Sequence, residues 1–177
     1  MKKIMVTALA LVLAGIELES LGTQKVTTSQ GRWVIGKPVA QFAANTVVRR
    51  GGRVFVFDPR RHAWYAYENG RLVGSGRASG GRGYCPDIRR SCHTPVGTFR
   101  VISKGSAGCR SSRYPKPRGG APMGYCMFFS KNYAIHASDD VPNHNASHGC
   151  IRVQPSAARW LSGRFMNIGT TVIIRSY

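Results

Sequence analysis

Short runs in which apolar and polar positions alternate make up most of the chain, and few stretches hold a helical period. Arg53-Val54-Phe55-Val56-Phe57 is rich in β-branched and aromatic side chains, and Ala63-Trp64-Tyr65-Ala66-Tyr67 resumes after the turn-like Asp58-Pro59, which predicts a meander. Glu68-Asn69-Gly70 predicts a tight hairpin, because Asn and Gly accept the positive φ angles it needs, and Arg71-Leu72-Val73 is the returning strand. Gly74 to Arg90 reads as loop. Thr94-Pro95-Val96-Gly97-Thr98-Phe99-Arg100-Val101-Ile102 reads as a turn running into a strand. Lys104 to Met123, rich in Gly and Pro, resists regular structure and predicts a long surface loop.

Tyr125 to Phe129 and Tyr133-Ala134-Ile135-His136 read as paired strands, which puts His136 at a strand end. Pro155 to Phe165 carries Ala158, Trp160, Leu161 and Phe165 at helical spacing behind a Pro and predicts one short helix. Thr170 to Arg175 is the closing strand. No internal repeat is evident. The expected fold is mainly β, a sandwich or barrel of short strands with one or two short helices and a long loop region. Trp33, Trp64 and Trp160 are assigned to the core rather than to sugar platforms.

The ends of the chain and its charge narrow the setting. Lys2 and Lys3 precede an apolar run from Ile4 to Ile16 and then Glu17-Leu18-Glu19-Ser20, the layout of a secretory leader over residues 1–20. The run is shorter than the roughly 18 apolar residues of a spanning helix, so no stable membrane span is expected. Residues 21–45 read as an N-terminal extension and residues 46–177 as one domain, expected to be a monomer in the periplasm or cell envelope. The formal charge is +19, and it survives removal of the leader because Lys2 and Lys3 there are balanced by Glu17 and Glu19. Such a charge calls for anionic partners. The Arg residues are scattered, with no basic helix, zinc-finger spacing or aromatic RNA-binding string, so an anionic envelope polymer is expected and nucleic acid is not.

An oxidising compartment pairs thiols, and an odd number leaves one over. Cys85, Cys92, Cys109 and Cys126 lie in the loop-rich middle, whereas Cys150 sits apart. Three pairings of the four are open. We expect neighbours to pair, Cys85 with Cys92 and Cys109 with Cys126, leaving Cys150 free.

The free cysteine closes the segment His136-Ala137-Ser138-Asp139-Asp140-Val141-Pro142-Asn143-His144-Asn145-Ala146-Ser147-His148-Gly149-Cys150. A thiol is mostly protonated at neutral pH unless an imidazole or positive surroundings intervene, so Cys150 among imidazoles points to an activated thiolate nucleophile. Gly149 permits a tight turn that could aim the Gly149 and Cys150 amides at a tetrahedral intermediate. His136, His144, His148 and Cys150 have the donor types of a zinc site but match no common zinc spacing. His144 and the adjacent Asp139 and Asp140 read as solvated loop residues, and His62 and His93 as structural or exposed.

Ser147-His148-Gly149-Cys150-Ile151-Arg152 with an upstream His136 resembles the signature of the L,D-transpeptidases, also called YkuD-type domains. Thr94-Pro95-Val96-Gly97-Thr98-Phe99 is similar to a second motif of that family, and the resemblance runs over roughly residues 50 to 175. The section from Cys85 to Cys126 is similar to the branch that includes the Legionella enhanced-entry proteins. The resemblance implies a thioacyl mechanism on peptidoglycan stem peptides, ending in crosslinking, exchange or carboxypeptidase hydrolysis, with no metal or cofactor. It implies catalytic roles for Cys150, His136 and His148, and site-shaping or oxyanion roles for Ser147, Gly149 and Arg152. Ala137 stands where the family commonly has Gly or Ser, at a point whose backbone carbonyl orients the base, and the interval from His136 to Ser147 is shorter than usual. A non-catalytic wall-binding or host-interaction envelope protein is the alternative reading.

Overall fold

The computed structural model describes residues 52–177, together with two short upstream strands, β1 (Val26–Thr27) and β2 (Trp33–Val34), which pair antiparallel. The leader over residues 1–20 and the remainder of the extension lie outside the described residues.

Nine strands follow: β3 (Arg53–Asp58), β4 (Ala63–Glu68), β5 (Arg71–Ser79), β6 (Gly97–Arg100), β7 (Ser103–Lys104), β8 (Met127–Ser130), β9 (Tyr133–Ala137), β10 (Ile151–Val153) and β11 (Thr171–Ile174). They form one mixed sheet in the order β6-β11-β3-β4-β5-β10-β9-β8-β7. The pairs β3/β11 and β9/β10 are parallel and the other pairs antiparallel. The two edge strands, β6 and β7, are consecutive in the chain and separated only by Val101 and Ile102. Val101 N donates to Thr170 O beside β11, whereas Ile102 N donates to Phe128 O in β8. Adjacent residues thus join opposite ends of the sheet, which therefore curls on itself and brings its two edge strands together. The expectation of a mainly β fold holds.

The core lies inside the curl, where Phe55, Phe57, Met127, Ile135, Ile151, Val153 and Val172 are fully buried. Helix α1 (Pro155–Trp160) begins with Pro at its first turn, where the missing N–H costs nothing. It runs into a π turn, Leu161–Phe165, closed by Met166 N donating to Leu161 O. Lys104 Nζ donates to the Ser162 and Met166 carbonyls, supplying partners at the end where the helix leaves acceptors unmet. Among the described residues no helix is long and apolar enough to cross a membrane.

Three features differ from the sequence reading. Strand β5 extends to Ser79, through Gly74 and Gly76, where the residue types predict loop. A side chain at Gly76 would stand 2.8 Å from Trp64 Nε1, and one at Gly74 would stand 3.1 Å from the Trp160 ring. These glycines therefore let two indoles lie on the strand, consistent with the core assignment of Trp64 and Trp160, and are not turn signals. The other two differences are β7 and β10, strands of two and three residues that carry too few positions for a periodic pattern. The hairpin is as expected: Asn69 and Gly70 have φ of 51° and 82°.

Candidate active site

The parallel pairing of β9 with β10 sets Ile151 beside Ile135, Arg152 beside His136 and Val153 beside Ala137. Side chains alternate across a strand. Ile135, Ile151 and Val153 point into the core with no exposed surface, so His136, Cys150 and Arg152 share the opposite face. All three line a cleft of about 500 Å³, walled by Arg110 to Tyr114 on one side and by Ile88 and Arg90 to Cys92 on another.

Both disulfides pair as expected, Cys85 with Cys92 and Cys109 with Cys126, and Cys150 is free. They staple the two loops that wall the cleft. The Cys150 thiol lies 3.9 Å from the Asn132 carbonyl, its hydrogen-bond acceptor. Burial pushes its pKa up from the ordinary value, with the Ala134 amide and the Arg152 charge pulling the other way.

His136 is buried, and its Nδ1 lies 2.8 Å from the Ala137 carbonyl. A carbonyl only accepts, so Nδ1 carries the hydrogen and Nε2 keeps its lone pair in the neutral ring. Burial lowers the imidazole pKa, the Ala137 bond opposes that, and the Arg152 charge adds to it. Thiol and imidazole are therefore both pushed toward their neutral forms. Burial works against a resting thiolate–imidazolium pair, while the Ala134 amide and the Arg152 charge favour the thiolate. The Ala137 carbonyl does orient the ring.

Ser147 builds the turn that presents Cys150. Its Oγ donates to the Cys150 carbonyl and accepts from Gly149 N at 3.0 Å, while its backbone is held by Gly80 O and Arg82 N. Gly149 has φ of +112°, and a side chain there would stand 2.4 Å from Tyr133 Cε1. Both demand glycine. The Gly149 amide is spent on Ser147 Oγ and does not face the cleft as an unengaged donor, unlike the paired amides expected from the sequence.

His148 lines the cleft, but its Nε2 lies 2.9 Å from Asp87 Oδ1, and its ring stacks on Tyr114 with centroids 4.2 Å apart. Asp87 belongs to the Cys85–Cys92 loop and Tyr114 to the Cys109–Cys126 loop, so His148 joins the two stapled walls. The His148 bond holds the Asp87 carboxyl below the usual range. Cys85, Asp87 and His148 cluster tightly, but the Cys85 sulfur is in a disulfide and is not available as a thiolate ligand. Arg152 Nη1 donates to Asp140 Oδ2 at 2.6 Å. Asp140 is thus paired and not merely solvated, while Asp139 and His144 are exposed. His93 is exposed and stacks on Tyr177, away from the cleft lining.

Asp87 and Tyr114 carry no signal in the sequence, whereas Asp140 reads there as solvated and is paired here. Asp87 meets His148 across 61 positions, a separation at which no local pattern links two side chains.

A family model of the L,D-transpeptidase catalytic domain, YkuD, matches residues 51–174. An L,D-transpeptidase from Xylanimonas cellulosilytica is 31% identical with a TM-score of 0.62, the match covering 82% of this chain and 72% of that one. An L,D-transpeptidase from Mycobacterium tuberculosis is 22% identical over 71% of this chain, with a TM-score of 0.59. L,D-transpeptidase 3 of the same organism, crystallised with a faropenem-derived adduct, is 24% identical over 71%, also with a TM-score of 0.59. The chain spans only 58% and 60% of these last two. No curated protein sequence matches it.

Proposed function

The chain belongs to the YkuD family of L,D-transpeptidase catalytic domains, and on that footing we propose that it is an exported peptidoglycan L,D-transpeptidase working through a thioacyl intermediate on Cys150. The observation that carries the reading is the placing of His136 and Cys150 on one face of β9 and β10, over one cleft, with the His136 lone pair confined to Nε2.

As Cys150 Sγ attacks the stem-peptide carbonyl between diaminopimelate and the terminal D-Ala, its proton passes to His136 Nε2. Burial works against separated charges on this pair, which favours a transfer that accompanies attack. The Cys150 amide, at the turn fixed by Ser147, is the donor assigned to the developing oxyanion. Collapse breaks the C–N bond, the His136 imidazolium gives its proton to the departing D-Ala amine, and a thioester remains. An acceptor amine then attacks the thioester, His136 takes the amine's proton, and the thiol is restored. Water in place of the amine gives carboxypeptidase hydrolysis. Arg152 lies beside His136, held by Asp140, and opposes protonation of the imidazole. We assign His148 to holding the stapled walls and not to proton transfer, because Asp87 and Tyr114 occupy its ring.

The test is turnover of disaccharide-tetrapeptide, read as released D-Ala. Cys150→Ala should abolish it with the circular dichroism unchanged, and faropenem should add covalently to Cys150 in the wild type. Persistent D-Ala release from Cys150→Ala would remove the reading. Muropeptide binding with no mass shift on Cys150 would favour a wall-binding module.

A further inference from the structure

Five of the chain's basic residues line the cleft. Arg90, Arg110, Arg113 and Lys131 are exposed along its rim, and Arg152 lies deeper beside the candidate nucleophile. Asp140 is the one carboxylate among the lining residues, and Arg152 already holds it. Arg90, Arg113 and Lys131 have no acidic partner among the described residues. The rim cations also come from separate segments, the two stapled loops and the β8–β9 turn, so they surround the opening and are not a solvated run on one element. Unpaired like charges converging on a concave site repel one another and focus positive potential into it, which an anionic occupant relieves.

We propose that the cleft selects an acidic peptide, namely a stem peptide whose D-isoglutamyl and diaminopimelyl side carboxyls are free carboxylates, and discriminates against the same peptide bearing carboxamides there. This rests on the stem-peptide reading above and adds the ionic state of the substrate to it. A carboxamide is close in size to a carboxylate, so shape does not separate the two forms and charge does. An exposed ion pair changes affinity by about two- to fivefold, so converting two carboxylates should weaken binding by roughly tenfold at low salt. At 0.15 M salt, where screening acts over about 8 Å, the discrimination should shrink.

The experiment measures binding of both disaccharide-tetrapeptides to Cys150→Ala by titration calorimetry at two salt concentrations, and turnover of both by the wild type. The proposal predicts a roughly tenfold preference for the carboxylate form that narrows with salt. Arg113→Gln/Lys131→Gln should lose most of that preference, while Arg71→Gln/Arg159→Gln, equal in charge removed but outside the cleft, should retain it. Equal affinity for the two peptides, or a preference that survives Arg113→Gln/Lys131→Gln, would overturn it. Turnover of neither peptide by the wild type, with the binding preference intact, would remove the transpeptidase reading and leave the charge selection standing.

Discussion

Replacing Gly149 by Ala tests how the Cys150 turn is built. Two costs add. A residue with a β-carbon held at φ of +112° carries strain of about 1–3 kcal/mol. The new methyl also falls 2.4 Å from Tyr133 Cε1 and 2.8 Å from Cδ1, so the ring must move, at an overpacking cost of about 1–3 kcal/mol. Moving it disturbs its stack on Phe129, which packs on Phe99. We expect a loss of about 3 kcal/mol and a Tm lower by roughly 8–15 °C for a domain of this size. The assay is urea unfolding of the oxidised protein in a double-mutant cycle with Tyr133→Ala. Removing the ring relieves the overlap but not the backbone strain, so Gly149→Ala should cost about 1–2 kcal/mol less in that background. A coupling below about 0.5 kcal/mol, the scatter of independent sites, would show that the turn does not depend on this close approach.

Further expectations concern pH, the cleft walls and the indole against β5. Because His136 is depressed and Cys150 raised, kcat/KM should fall only below pH 6.5 on the acid side and change above pH 9.0 on the alkaline side; an acid limb above 6.5 would contradict the neutral pair. The same depression means that the unfolded chain binds the extra proton first, so the His136 contribution to stability is whole above pH 6.5 and is lost as pH falls below it; urea midpoints of wild type and His136→Gln across that range check the sign. His148→Ala should leave the sheet intact but speed amide exchange in residues 86–91 and 110–120 together, and unchanged exchange in either loop would argue against the shared tether. Gly76→Val should destabilise by about 2–3 kcal/mol and shift Trp64 fluorescence, because the new side chain overlaps a buried indole; an unchanged spectrum would count against that packing.

The strands with five or more alternating or β-branched positions were legible in the sequence, because burial on one face imposes a period of two. The Asn69-Gly70 hairpin was legible because its φ requirement is written in the residue types. That Cys150 stays free follows from its separation from the other cysteines, whereas the pairing of those four is one of three that the spacing leaves open, and the structure selects it. What stayed hidden depended on distant partners. Gly74 and Gly76 look like loop residues until the indoles of Trp160 and Trp64 are set against them. The segment His136 to Arg152 gave the candidate chemistry at once, yet not that Ser147 would take up the Gly149 amide. Nor did it give burial, which reverses the direction in which an imidazole would move the thiol. Asp87 and Tyr114 were invisible because the loops that carry them are held in place by covalent staples and have no period to read.

Rapid quenching of the wild-type protein with disaccharide-tetrapeptide, followed by intact-mass and peptide mapping, bears most directly on the central proposal. The account predicts a transient adduct equal to the substrate less its terminal D-Ala, carried by the peptide containing Cys150 and discharged when an acceptor amine is added. Release of D-Ala without that adduct, or an adduct on any other side chain, would contradict it.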